Sequence, residues 1–205
     1  MPVFPILIAL MALTGFGFPK AGDLTVTLIA KQGSMIWIEG STNVNDFHCD
    51  ARIFHGIGLM KAGNITPAKR VKKNVLSIQA HIPIDGFECG KRRMNRDLYN
   101  ALKGDRHPEI SFEFLEAAIA GDSITVTGYL TVAGVVQIIV FDVKGYAQDD
   151  TDWRISGSAS IFMNDYNIDP PSPLLGMIKV NDRLSVNFDF LVDVNHDLSE
   201  AYNHE

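Results

Sequence analysis

Five sets of residues in this chain are of types that do chemistry. His48 and Cys49, with His55 downstream, are metal-ligand types; Glu109, Glu113, Asp142 and Asp189 are acid–base types; Lys91, Arg92 and Arg93 form the densest basic spot. Cys49 and Cys89 are the two thiols, and Tyr99 and Tyr166 carry hydroxyls able to bond a carbonyl. Metal binding needs ligands that converge, but neighbours on a strand point to opposite faces, so His48 and Cys49 cannot share an ion without a bulge. The carboxylates alternate with apolar residues, the pattern of a solvated outer face rather than of an acid–base pair. The sequence contains no G-x-S-x-G, phosphate loop or H-E-x-x-H. The basic triplet reads as a solvated loop or as a contact for an anionic or polar head group. The thiols stand forty positions apart, and a single disulfide is the economical reading, with two buried thiols as the alternative.

No catalytic constellation emerges, so the elements that carry these residues decide the reading. The chain has 205 residues, 46% hydrophobic and 20% charged, which is globular and excludes a disordered acidic chain or a collagen-like one. Eighteen basic against 24 acidic residues give a net charge of -6, without the basic excess that a phosphate backbone demands, so nucleic acid is not expected as a partner. Residues 3–18 form an uncharged apolar run, too short to span a bilayer comfortably and followed by Pro19, Lys20, Ala21 and Gly22. It reads as an export signal over 1–21, with a buried first strand or an uncleaved anchor as the alternative. No second run is long enough for an integral membrane span. A single domain is expected over 22–193, then a polar C-terminal tail over 194–205.

Within that domain the periodicity is two. Strands are predicted over 34–42, 46–54, 75–84, 109–114, 123–132, 138–145, 154–163 and 184–192, with 24–30 as a further candidate. Phe47, Cys49, Ala51 and Ile53 share one face; so do Ile78, Ala80 and Ile82, then Ile110, Phe112 and Phe114, then Val126, Gly128 and Leu130, and finally Phe188 and Phe190. Met94, Leu98 and Leu102 at i, i+4 and i+8 predict a short helix over 93–103, stopped by Gly104. Residues 164–176 hold three prolines and must be a loop. Strands with one apolar face must turn it inward, in a sandwich or a barrel. The helix and the Pro-rich loop suit lids on a barrel mouth. The small inward residues Ala80, Gly128, Gly157 and Ala159 leave room between the large ones, which favours a cavity.

Four ordered blocks then resemble the YceI-like family: residues 40–47 (GSTNVNDF), 94–114 (MNRDLYNALKGDRHPEISFEF), 128–135 (GYLTVAGV) and 164–176 (NDYNIDPPSPLLG). The resemblance covers about residues 24–193. It implies an all-β fold: an extended lipocalin-like antiparallel barrel of about eight strands, usually exported, with a long isoprenoid such as a polyprenyl quinone in its lumen. It carries ligand contact to Leu98 and Leu102, to Ile110, Phe112 and Phe114, and to Leu174 and Leu175. The other inward positions, Ile78, Ala80, Ile82, Val126, Gly128, Leu130, Ala159, Phe188 and Phe190, complete the expected lining. The chain departs from the family at residues 134–139, GVVQII, which lack the proline and basic residue usual there.

The expected function is sequestration or carriage of a hydrophobic small molecule or lipid, in the periplasm or outside the cell, with no catalysis and no metal or other cofactor. A homodimer is compatible with the sequence. A solid-cored interaction barrel and an enzyme acting on a hydrophobic substrate are the rival classes.

Overall fold

The computed structural model describes residues 25–61, 70–72, 76–120, 123–148 and 152–195. The expected export signal, and residues 196–205 of the expected tail, lie outside them. Val194 and Asn195 belong to the last strand rather than to a tail.

Twelve strand segments among these residues line up as eight long strands. β1 (Thr25–Ala30) runs on into β2 (Met35–Thr42) across a turn where Gly33 takes the left-handed conformation at φ 95°. β3 (Asp46–Ala51) runs on into β4 (His55–Lys61), and β5 (Arg70–Lys72), β6 (Leu76–Pro83) and β7 (Phe87–Glu88) follow one another along a third line. β8 (Glu109–Ala120), β9 (Ser123–Val132), β10 (Val135–Ala147), β11 (Asp152–Phe162) and β12 (Val180–Asn195) complete the eight. Each line pairs antiparallel with its sequence neighbours. The ring closes because β12 pairs with β2 along its first part and with β1 at residues 192–195. This is an up-and-down barrel, and closure leaves its long strands no free edge. Lys31 Nζ, at the break between β1 and β2, reaches the Asp152 carboxylate at the start of β11 at 2.8 Å.

Where the strands differ from expectation, a local irregularity is the cause. The strand expected over 46–54 breaks after Ala51, because its partner line is interrupted by the 3-10 turn Ile84–Gly86, whose Gly86 carbonyl accepts the Arg52 N–H at 3.0 Å. Phe47, Cys49 and Ala51 keep the inner face, whereas Ile53 is half exposed and leaves it. The strand expected over 109–114 continues to Ala120 through a bulge between Phe114 and Glu116. A bulge inserts one residue and flips the alternation, so Ala117 is buried beyond it.

α1 (Arg92–Ala101) and the segment that follows β11 cover one end of the ring. The helix ends before Gly104: Lys103 takes the left-handed position at φ 57°, and Gly104 is small because the Tyr99 ring lies on it. The buried core gathers at this covered end, from Ile36, Ile38 and Cys49 through Ile110, Leu130 and Val132 to Ile161, Met163, Tyr166 and Leu184.

On the outer surface, Arg154 Nε and Nη2 donate to the two Asp189 carboxylate oxygens at 2.7 and 2.6 Å, bridging β11 and β12. The Arg154 hydrogen bonds hold Asp189 below its ordinary value of about 3.9. A depressed carboxylate stabilises the fold at neutral pH, and that contribution is lost as pH falls from the ordinary value through the lowered one. Asp189→Asn should therefore lose stability at pH 7 but flatten the acid limb. Thermal midpoints measured from pH 7 to pH 2 should show the two proteins converging at the acid end; parallel curves would remove the pair from the account.

Candidate ligand-binding site

The inward face of the ring is apolar apart from Gln137, which pairs with Leu130, and on much of it the side chains are only half buried. Ile78, Ala80, Ile82, Phe112, Val126, Ile139, Phe141, Val186, Phe188 and Phe190 all point inward by alternation with buried neighbours, yet none is fully covered. A side chain that points into a closed ring and still meets solvent borders space inside it.

Aromatic rings from separate strands meet in that space. Phe112 on β8 meets Phe141 on β10 edge-on at 5.8 Å, and Phe141 meets Phe188 on β12 in the same way at 5.8 Å. Phe188 stacks on Phe190 at 5.2 Å, and Phe190 reaches Phe54 at 5.6 Å. Edge-to-face and offset contacts at these separations are favourable beyond area burial. Room for the rings comes from glycines: Phe112 lies on Gly128 and Phe188 on Gly157, where an added Cβ would collide with the ring. Gly128 and Gly157 thus seat neighbouring rings rather than leave open room.

A second space lies against the core at the covered end. A cavity of about 280 Å³ sits between α1 and the Pro-rich loop, lined among others by Leu98, Leu102, Met163, Pro171, Leu174 and both half-cystines. Lys91, Arg93 and Asp97 are at its charged side. The disulfide is formed between Cys49 and Cys89 and fastens β3 to the segment that leads into α1. The loop is fastened in turn by Asn43, whose backbone N–H donates to the Lys179 carbonyl at 3.0 Å, whose Oδ1 accepts the Lys179 N–H at 2.8 Å and whose Nδ2 donates to the Met177 carbonyl at 3.0 Å. Lys103 Nζ adds a bond to the Asn167 carbonyl at 2.9 Å. Before the helix, a hydrogen bond from Asn95, the Gly90 N–H and the Arg52 charge hold the Glu88 carboxyl below the usual range. A larger hollow of about 540 Å³ lies between β2, β3 and β12, lined by polar side chains such as Glu39, Asp46, His48 and Arg183. It is shallow and open, so it cannot take hydrocarbon out of water.

The residues singled out from the sequence therefore separate into three groups. Ile78, Ala80, Ile82, Phe112, Val126, Phe188 and Phe190 border the lumen; Leu98, Leu102 and Leu174 border the mouth cavity. Ile110, Phe114, Gly128, Leu130 and Ala159 are buried in protein packing and offer almost no surface to a ligand. Leu175 falls outside all three groups: it is fully exposed, because Leu174 and Leu175 both take left-handed backbone at φ 56° and 57° and the turn throws Leu175 outward. Phe141 and Ile139 were missed. Their strand is apolar on both faces, so alternation alone gives no inward direction; pairing of Phe141 with Val126 supplies it.

Comparison with known proteins adds the family. The YceI-like domain model matches residues 24–192. The chain belongs to the YceI-like family. Among solved structures, this YceI-like chain is similar to BcnA of Burkholderia cenocepacia, with a TM-score of 0.65, 19% identity, and coverage of 80% of this chain and 98% of that one. It is also similar to a polyisoprenoid-binding domain of Saccharophagus degradans implicated in plant cell wall breakdown, with a TM-score of 0.59 and 14% identity over 84% and 99% of the two chains. The Campylobacter jejuni YceI protein gives a TM-score of 0.55 and 16% identity over 73% and 85%. No curated protein sequence matches the chain. At these identities the solved structures support the barrel fold. Among the described residues no helix is long and apolar enough to cross a membrane.

Proposed function

We propose that the protein is an exported carrier that holds the hydrocarbon part of an isoprenoid, or of a similar long-chain lipid, in the barrel lumen, without catalysis. The observation that carries this is the half-exposed apolar lining of a closed ring. Burial is worth about 0.8 kcal/mol per methylene, hence about 4 kcal/mol for a five-carbon prenyl unit. Association and ordering cost roughly 4–15 kcal/mol, so about four units exceed even the upper figure without any specific chemistry. An isoprenoid quinone satisfies both the tail and a carbonyl-bearing head. The rival solid-cored barrel would leave no such lining to solvent, and an enzyme would need polar reacting groups on the inward face, where the alternation places apolar ones and Gln137, whose amide is engaged by the Asp165 carbonyl. Native mass spectrometry and lipid extraction of protein taken from its own cell envelope should find a prenyl or long-chain lipid at about one per chain. Protein that emerges lipid-free and binds no long-chain fluorescent probe would remove the reading.

Pairing of two copies belongs to the same proposal and rests on β10. Its outward residues Val136, Ile138 and Val140 are 56–61% exposed, and Tyr129, paired with Ile138, stands beside them. A strand apolar on both faces is ordinarily covered on both. With Tyr129 and Phe162 on β11, which are 37% and 45% exposed, this face gathers five exposed large apolar side chains, and a cluster of that kind marks an interaction site. The flanking Thr127, Thr131 and Ser160 are uncharged, so none of the three brings a charge that has to be desolvated when a second copy packs there. The proline and basic residue that the family usually has at residues 134–139 are absent from this stretch, so neither breaks the apolar face. Sedimentation should show a dimer at micromolar concentration and a monomer for Ile138→Lys; a monomeric wild type excludes the pairing.

A further inference from the structure

We infer that the Tyr166 hydroxyl is the hydrogen-bond donor for the head of a neutral, acceptor-bearing amphiphile bound head-inward at the covered end of the lumen. The inference rests on the lumen reading above and adds to it the chemistry and orientation of the ligand.

Tyr166 closes the 3-10 turn Met163–Tyr166 that follows β11, and it is 1% exposed. Among the described residues its hydroxyl is the one buried side-chain polar atom with no hydrogen-bond partner. Buried hydroxyls almost always have a partner, and an exception calls for an explanation such as a missing ligand. The ring belongs to the same buried cluster as Ile38, Ile110, Leu130, Ile161 and Leu184, which come from the inner faces of five strands. It therefore occupies the covered end of the barrel interior. Packed directly against that cluster are half-buried lumen residues, among them Ile82, Phe112, Ile139 and Phe188. The lumen lining thus continues to the cluster that holds the unpartnered oxygen.

The turn cannot readily swing the hydroxyl into water. Gln137 Nε2 donates to the Asp165 carbonyl at 2.7 Å, the Asn164 N–H donates to Asp182 Oδ1 at 2.9 Å, and the Ile168 N–H donates to the Met163 carbonyl at 3.1 Å. The donor is held in place before any ligand arrives. Burial, with the Asp165 charge, pushes its pKa up to about 12, so it remains a neutral donor at physiological pH.

The surroundings choose the class of head. A carboxylate or phosphate would have to be stripped of water against aliphatic and aromatic side chains, and Lys91 and Arg93 line the mouth cavity, whose lining does not include Tyr166. A carbonyl or ether oxygen loses little water and gains the phenol proton. A ketone, quinone or ester head with its tail along Phe112, Phe188 and Phe190 satisfies both the oxygen and the lining.

The test compares two probes, a prenylated benzoquinone and the same prenyl chain on benzene, against wild type and Tyr166→Phe. The variant should weaken quinone binding about tenfold and leave the benzene analogue within twofold. Its own thermal midpoint should be unchanged or higher, because an unsatisfied group is removed. Equal quinone affinity in the two proteins, or equal weakening of both probes, overturns the inference while leaving the lumen reading intact. If neither probe binds wild type, the lumen reading falls and this inference with it. Should the variant fail to fold, the infrared carbonyl stretch of quinone bound to wild type decides: a shift to lower wavenumber supports the donor, and an unshifted band overturns it.

Discussion

Replacing Cys49 and Cys89 together with alanine is expected to lower the unfolding free energy by about 4 kcal/mol, the loop-entropy value for a cross-link that closes forty residues. That is a large share of the stability of any single domain, where the total is roughly 5–15 kcal/mol. The effect should also be local. The bond joins β3 to the segment before α1, and both half-cystines line the mouth cavity, so its loss frees the helix end of that cavity before the strands separate. Guanidinium titration with and without reductant gives the magnitude, and hydrogen exchange gives the location, with protection lost first over α1. A loss below about 1 kcal/mol would show that burial of Cys49 and Cys89 among the core residues, rather than the cross-link, is what holds this corner.

The barrel was legible in the sequence wherever one face of a strand is wet and the other dry. β6 and β9 illustrate this: Ser77 and Gln79 alternate with Ile78 and Ala80, and Thr125 and Thr127 with Val126 and Gly128, so the period gives both the strand and its direction. It failed where that condition failed. β10 is apolar on both faces, which hid Phe141; the bulge after Phe114 reversed the alternation; and the break after Ala51 depends on a 3-10 turn in a neighbouring strand, at Ile84–Gly86. Small inward residues were an uneven sign of emptiness: Ala80 borders space, but Ala159 is buried and Gly128 and Gly157 seat rings. A glycine tells that something comes close, not whether that something is a ligand or, as at Gly128, the ring of Phe112. The mouth was legible as a helix and a Pro-rich loop, but the clamp between them was not, because Asn43 acts through a loop more than 130 residues away.

Ala80→Trp is expected to reduce binding of a long-chain probe about 100-fold, or about 2.7 kcal/mol, with the far-UV spectrum unchanged. Ala80 is half buried on the inner face of β6, opposite Phe112 on β8 and Gly56 on β4. An indole there projects into the space beside the chain of phenylalanines and occupies the path a prenyl tail would take. Because the site borders space rather than packed core, the variant should avoid the full 1–3 kcal/mol that overpacking a solid interior costs. Stability therefore gives an independent readout: a large loss would mean that the interior beside Ala80 was already full. The matching change at the mouth, Ala101→Trp on α1, fills the other cavity instead. If the lumen holds the tail, Ala80→Trp weakens binding by that factor and Ala101→Trp leaves it within about threefold. The reverse order would move the ligand to the space under the Pro-rich loop, between Leu98, Leu102 and Leu174, and make the barrel only its support.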